Sequence, residues 1–346
     1  MNREGGKGFE GLRAAGRKAI RLSQEQVVRS GYIDGGRGFP LVMEPGVEGV
    51  NLSAWASASR GYIEGELLRA GAILFRGFGI DSVRKFEQVV TAMSEQPLSY
   101  NERSSPRSQV SGNIYTSTDY PPDKAIFLHN EQSYNITFPL RIFFFCLTAA
   151  TCGGQTPIAD SRKVYRRISP RIKDRFAELG YLYVRNFRDG VGLPWQTAFQ
   201  TTDKSKVEQY CLGNDIKFEW RQGGLRTYQV RRAIAKHPHS SDMTWFNHIT
   251  FFHVSTLDRP IEQTLLEQYG EEDLPNNTYY GDGTRIEAGV LDELREAYLA
   301  EKVVFAWQRG DILMLDNMLA SHGREPYDGP REILVAMTSP FNWERV

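Results

Sequence analysis

The sequence predicts a mainly β fold, an antiparallel barrel or sandwich with helical insertions and a helical flank. Three observations carry that reading: many short strand-like runs, helical patterns placed before and between them, and a sharply punctuated hairpin at the C-terminal end. No repeat recurs at a fixed period and no linker splits the chain after residue 40. Residues 39–346 therefore read as one domain. Residues 1–38, rich in Gly, Arg and Lys, read as a flexible basic arm with one short helix near Leu12–Leu22.

Taken in order, Tyr62–Ala70 has helical spacing and Gly71 closes it. Ala72–Phe75 is a buried strand. Asp81 is placed to cap the next helix, whose stripe is Val83, Phe86, Val89, Val90 and Met93. Gln96–Tyr115 is polar and reads as a loop, with Asn101–Ser111 as a rim. Phe127–Glu131 reads as a strand, and Ile142–Leu147 is so apolar that it predicts a strand covered on both faces. Gly153-Gly154 breaks it. Helix follows over 161–180, then a strand at Tyr181–Asn186, an irregular stretch at Gly190–Gln200 and a helix at Asp203–Leu212. Further strands fit Phe218–Trp220, Leu225–Val230 and Met243–Phe252. Leu257–Gly270 and Ala288–Phe305 are helical in part, with Pro275–Asp282 a loop between them. The closing hairpin is Ile312–Leu315, a loop over Asp316–Gly329, and Arg331–Thr338.

Composition removes several classes. Of 346 residues, 40% are hydrophobic and 24% charged, which is ordinary for a folded soluble chain. Lys+Arg and Asp+Glu are equal at 42 each, so nothing general favours nucleic acid or an anionic membrane. Cys146, Cys152 and Cys211 make no disulfide framework or CxxC pair, which suits a reducing cytoplasm. The longest apolar run is too short to span a bilayer.

The chemistry centres on six histidines: 129, 237, 239, 248, 253 and 322. His237-Pro-His239 reads as a solvated turn. His248 and His253 fall on opposite faces if their run is a strand. In an extended Phe127–Glu131 segment, by contrast, His129 and Glu131 share one face. His322 lies between the last two strands beside Gly323, which lets backbone approach closely. Two histidines and a carboxylate, arranged as a facial triad, leave open positions on Fe(II) for a cosubstrate and oxygen. The same three would serve a zinc hydrolase, and without a metal they are polar residues on a strand face. Arg331 can reach the same cavity from the final strand. A buried guanidinium needs an anion, and its fork suits a carboxylate; the alternative is a surface residue at a strand start.

His129-Asn-Glu131-Gln-Ser-Tyr134, Phe143-Phe-Phe-Cys146, Gly153-Gly-Gln-Thr-Pro157 with Asp160, Thr244-Trp-Phe-Asn247, and Gly310-Asp-Ile-Leu-Met-Leu-Asp-Asn317 with His322-Gly-Arg324 resemble the taurine dioxygenase-like superfamily of Fe(II)/2-oxoglutarate enzymes. The likeness runs from about Gly71 to Phe341 and looks closest to the syringomycin-type hydroxylases of peptide natural products. It implies a double-stranded β-helix (jelly roll) flanked by helices. By position it implies iron on His129, Glu131 and His322, with Thr156 and Arg331 binding 2-oxoglutarate. Asn247 would line the substrate pocket, while Trp245 is equally well explained as core. Two departures stand out: Glu131 replaces the Asp of many relatives, and Arg331 follows His322 closely enough to make Arg324 the rival clamp.

The resemblance implies dioxygen-dependent hydroxylation of an unactivated C–H, with 2-oxoglutarate leaving as succinate and carbon dioxide. Desaturation or cyclisation would need only another substrate pose. Related halogenases have a small residue where Glu131 stands, which argues against halogenation. The implied substrate is an amino acid, free or tethered to a peptidyl carrier protein, in antibiotic-type biosynthesis. The rival of another class is a non-catalytic jelly-roll binding protein.

Overall fold

The computed structural model describes residues 24–33, 38–94, 97–98, 102, 108–117, 120–188, 190 and 192–346. Most of the arm expected over 1–38, its short helix at Leu12–Leu22, and most of the polar rim at Asn101–Ser111 lie outside the described residues.

The site rests on two sheets. In the larger one, the order is Val28–Tyr32, Leu41–Pro45, Ala72–Phe75, Ile312–Asp316, Thr137–Thr148, Glu332–Asn342, Ile114–Thr116 and Gln109–Ser111. The smaller sheet runs Ile126–His129, Ala320–Arg324 and Ile158–Asp160. Together they form the jelly roll. The Thr137–Thr148 strand is central because its side chains are apolar in both directions. Phe143 and Phe145 pack with Ile63, Leu67, Phe86 and Val89 of the flanking helices. Ile142, Phe144 and Cys146 pack the other way, in a cluster with Leu313, Leu315 and Ile158 and Ala320 of the small sheet. A strand covered on both faces is what its composition predicts.

Several elements fall where the pattern places them. The Arg60–Ala70 helix ends on Gly71 at φ 81°, and Ala72–Phe75 pairs beside it. The helix Val83–Met93 buries Phe86, Val89 and Met93, but Ser82 holds its N-cap position while Asp81 pairs with Lys85 at 2.9 Å. The stretch 161–180 is two helices, Ser161–Arg167 and Pro170–Leu179, divided ahead of Pro170.

Other elements differ, each for a tertiary reason. Val28–Tyr32, inside the stretch read as an arm, is a strand paired with Leu41–Pro45. Ile114–Thr116, read as loop, pairs with the final strand. Asn276–Tyr280, also read as loop, pairs with Tyr181–Arg185, which supplies a partner that its polar sequence does not advertise. Met243–Trp245 is the only strand in 243–252; Ile249–Phe252 turns helical. The loop expected over 316–329 contains the strand Ala320–Arg324, the middle strand of the small sheet.

That middle strand demands a glycine. Gly323 sits where the register with Ile126–His129 slips, and an added Cβ there would lie 2.5 Å from the Ile126 carbonyl oxygen. Gly323→Ala should therefore push the two strands apart and lower the melting temperature. It should also weaken metal binding, because His129 and His322 are directly paired across this seam. Unchanged thermal melting and metal titration would contradict the packing argument.

Candidate active site

His129 ends its strand, and Asn130 and Glu131 belong to the turn that follows. Strand alternation therefore does not bring His129 and Glu131 together; the turn does. Asn317 fixes that turn. Its side-chain oxygen accepts the Glu131 amide at 2.8 Å, and its Nδ2 donates to the carbonyls of Glu131 and Pro139, both at 2.8 Å. In return Asn130 donates to the Asn317 carbonyl at 2.7 Å. All three residues are buried, so each of these bonds satisfies a polar group with no access to water.

His322 comes from the middle strand and is paired with both His129 and Ile158. One ligand atom from each of His129, Glu131 and His322 lies within 4.8 Å of the others, and all three residues are buried. His322 Nε2 and Glu131 Oε2 are 3.6 Å apart. Ligands at ~2.1 Å on a metal and at right angles lie roughly 3 Å apart, so a small inward movement would let one cation serve both. The histidine rings are held. Nδ1 of His129 donates to the Phe127 carbonyl at 2.8 Å, which leaves Nε2 as the unprotonated nitrogen of the neutral ring. The same ring stacks on Phe251 with centroids 4.4 Å apart, and His322 leans on Phe144 at 4.9 Å. This donor set fits a divalent transition metal.

The histidines set aside are structural. His248 heads a helical turn, not a strand; burial, then the neighbouring His129, holds its imidazole well below the ordinary value, and Ser133 Oγ lies 2.6 Å from its Nδ1. His237 is buried rather than solvated, with Nε2 3.1 Å from Asp316. Asp316 also pairs with Arg141 at 2.5 Å and caps the amides of Met318 and Leu319, bracing the turn that carries Asn317.

Two cavities meet at the three ligands. The larger, about 270 Å³, is lined by His129, Glu131, Phe251 and Asn276, with Tyr120 and Lys124 on one lip and Asp258 on the other. The smaller holds His129, His322, Thr156, Arg331, Arg324 and Ser117. His129 belongs to both walls.

In the smaller recess, Thr156 Oγ1 accepts the Trp307 indole N–H at 3.1 Å, so its own hydrogen remains for a ligand. Arg331 is half-buried and has no carboxylate partner among the described residues. Its Nε donates to Gly154 O at 2.8 Å and its Nη1 to Ser117 Oγ at 3.3 Å. Burial, then the neighbouring Arg324, pushes its guanidinium down to about 10. Gly154 must be glycine here, since it sits at φ +69° and a Cβ would lie 2.9 Å from the Ala150 Cβ and 3.0 Å from Arg331 Cδ. The recess has about 30 Å³ of open space, so an incoming dicarboxylate has to displace side chains. Arg324, the rival clamp, is taken up by backbone carbonyls of 120–124.

Asn247 does not line either cavity. Its Nδ2 donates to Ala233 O at 2.9 Å and its Oδ1 accepts the Ile249 amide at 3.0 Å, which caps the helical turn. Trp245 is fully buried core. The sequence reading missed Trp307, Ser117, Phe251 and the Lys124–Asp258 pair, which no local pattern marks. Asn317 was visible inside a quoted motif, but its task was not.

Two imidazoles and a carboxylate at the junction of two cavities of a jelly roll fit the facial triad of the non-haem iron oxygenases. Residues 37–338 match the taurine catabolism dioxygenase TauD, TfdA family, and the chain belongs to it. It is 42% identical over 275 residues to the dapdiamide synthesis protein DdaC of Enterobacter agglomerans, covering 79% of this chain and 84% of that one. A clavaminate synthase-like protein of Arabidopsis thaliana is 32% identical over 282 residues, covering 78% and 82%. In fold it is similar to the PvcB protein from Pseudomonas aeruginosa, with TM-score 0.55, 15% identity and coverage of 93% and 95%. A second structure of PvcB, described as an Fe, alpha-ketoglutarate dependent oxygenase, matches with TM-score 0.56, 14% identity and coverage of 94% and 98%. This chain is thus an Fe(II)/2-oxoglutarate-dependent dioxygenase.

Two expectations test the scaffold behind the site. Asn317→Ala should weaken binding of Mn(II) or Co(II) by about 10–100-fold, as loss of a group that orients a ligand does, with an intact far-ultraviolet spectrum; unchanged affinity would show that the turn holds itself. Burial raises the Asp316 carboxyl, but Arg141 and His237 outweigh it and hold it below its ordinary value. That stability is present above the unfolded value near ~3.9 and is lost as pH falls through the lowered one. Asp316→Asn should cost about 3–5 kcal/mol at neutral pH and flatten the acid limb of melting temperature against pH.

Proposed function

We propose that the chain hydroxylates an unactivated C–H of an amino acid, free or carrier-tethered, or of an amino-acid-derived intermediate in natural-product biosynthesis. The observation that carries this is the position of His129, Glu131 and His322 on the wall between the two cavities. In this reading they hold ferrous iron, Thr156 and Arg331 bind 2-oxoglutarate in the smaller recess, and substrate occupies the larger cavity beside Glu131. With both bound, iron, 2-oxoglutarate and dioxygen supply an oxidant that removes a hydrogen atom from an unactivated C–H, with succinate and carbon dioxide released.

The residues of this chain do the rest. Arg331 meets the distal carboxylate with its fork, and the Thr156 hydroxyl adds a neutral donor. Phe251 stacks on the His129 ring and Phe144 packs on the His322 ring, which would hold both imidazoles in orientation for a metal. A volume of about 270 Å³ suits a small molecule. The printed role of DdaC in dapdiamide synthesis supports the natural-product setting. No helix among the described residues is long and apolar enough to cross a membrane, and the three cysteines are unpaired, which agrees with a cytoplasmic setting.

Anaerobic addition of Fe(II) and 2-oxoglutarate should produce a visible charge-transfer band, and oxygen should then release succinate. Glu131→Ala should abolish both. Arg331→Ala should raise the half-saturating 2-oxoglutarate concentration by at least ~30-fold, the cost of removing one partner of a desolvated charge pair. Absence of both band and succinate in the wild type would favour a binding protein. Among products of amino-acid substrates, gain of oxygen marks hydroxylation and loss of two hydrogens marks desaturation or ring closure.

A further inference from the structure

Trp307 does not line the smaller recess, yet it decides what Thr156 can offer there. An indole N–H only donates, so the Thr156 oxygen facing it at 3.1 Å has to accept. Thr156 is buried in the recess wall, and no described residue accepts its hydroxyl hydrogen. Ser117 in the same wall repeats the arrangement, with its Oγ accepting from Arg331 Nη1 at 3.3 Å. Both hydroxyls thus keep a hydrogen to give, beside a guanidinium that only donates. Such a recess suits a ligand rich in acceptor oxygens.

Trp307 is itself held from behind. Arg76 meets the fully buried Asp311, with Nη2 to Oδ2 at 2.6 Å and Nε to Oδ1 at 3.1 Å. The same Nη2 donates to the Ala306 carbonyl at 2.8 Å, and Asp311 Oδ2 accepts the Gln308 amide at 2.8 Å. Both chain neighbours of Trp307 are therefore tied to one ion pair. The indole packs against Phe305 with centroids 5.1 Å apart, in a buried cluster with Ile333 and Val335 of the recess wall. The Thr156 backbone has separate ties: the Gln155 carbonyl accepts the Glu325 amide at 3.0 Å and the Pro157 carbonyl accepts the Gly323 amide at 2.9 Å. What Trp307 adds is the direction of the hydroxyl.

We propose that Trp307 is a positioning residue for the cosubstrate, fixing Thr156 as a dedicated donor to a carboxylate oxygen of 2-oxoglutarate. With the indole in place, the hydroxyl needs no reorientation when the anion arrives. Without it, the hydroxyl has to be ordered at the moment of binding, which weakens the bond it makes. This rests on the recess being the 2-oxoglutarate site.

The test uses the full chain loaded with Zn(II), a diamagnetic ion that imidazole and carboxylate accept, and follows 2-oxoglutarate binding by calorimetry. Thr156→Val should weaken binding by about 10–30-fold, as loss of a hydrogen bond to a charged group does. Trp307→Phe keeps an aromatic ring without the N–H and should weaken binding by about 3–10-fold, with Zn(II) affinity unchanged. Added to Thr156→Val, the same change should cost less than about twofold, because no hydroxyl remains to be oriented. A second reading does not need Trp307→Phe to fold. With isotope-labelled tryptophan, the Trp307 indole resonance is assigned by elimination from Phe variants of the other five tryptophans. It should shift when 2-oxoglutarate binds, since bonds that share one hydroxyl polarise each other, and stay in place in Thr156→Val. Wild-type affinity in Trp307→Phe, an equal loss in both backgrounds, or an indole resonance indifferent to 2-oxoglutarate would overturn the proposal and leave the recess assignment standing. No calorimetric binding to the wild type would overturn the recess assignment, and the proposal with it.

Discussion

The amide of Asn317 is the contact on which the site depends. A carboxylate ligand is useful to a metal only if its backbone is fixed, and Glu131 sits on a turn just past the end of a strand. The Asn317 side chain grips both backbone groups of Glu131 and ties them to Pro139 in the central strand. Because the clamp is buried, breaking it would leave several polar groups unsatisfied, at about 1–3 kcal/mol each. The turn therefore has no cheap alternative conformation. Behind it, Asp316, Arg141 and His237 brace the same corner from the other side.

Around this fixed turn, the barrel sorts chemistry by direction. His129 faces both cavities, Glu131 faces the larger and His322 the smaller. The three residues thus also form a partition, with Arg331, which has no carboxylate partner among the described residues, on one side and the larger chamber on the other. The partition explains why two glycines matter near the site. Gly323 lets the ligand strands meet, and Gly154 holds a positive-φ turn where a Cβ would crowd Ala150 and Arg331.

Much of this was legible in the sequence, and the limits have physical causes. The central apolar strand, the Gly71 cap and the helix from Val83 depend on local pattern, and they appear as read. The three candidate ligands were reached by scarcity of histidine and by resemblance, and the structure brings them together, although a turn and not a shared strand face places Glu131 beside His129. The buried pairing of His237 with Asp316 was invisible because it joins residues 79 apart. Asn276–Tyr280 looked like a loop because a polar edge strand takes its order from a neighbour. Asn247 looked like a pocket residue because a side chain that caps backbone and one that reads a ligand share the same chemistry.

The central claim is that His129, Glu131 and His322 form one metal site at the junction of the cavities. Anaerobic titration with Co(II), followed by its visible d–d absorption, tests it most directly. The wild type should bind one ion per chain, and His129→Ala and His322→Ala should each weaken binding by more than ~100-fold, beyond the loss expected for an orienting group alone. Undiminished binding in either variant would contradict the site as described.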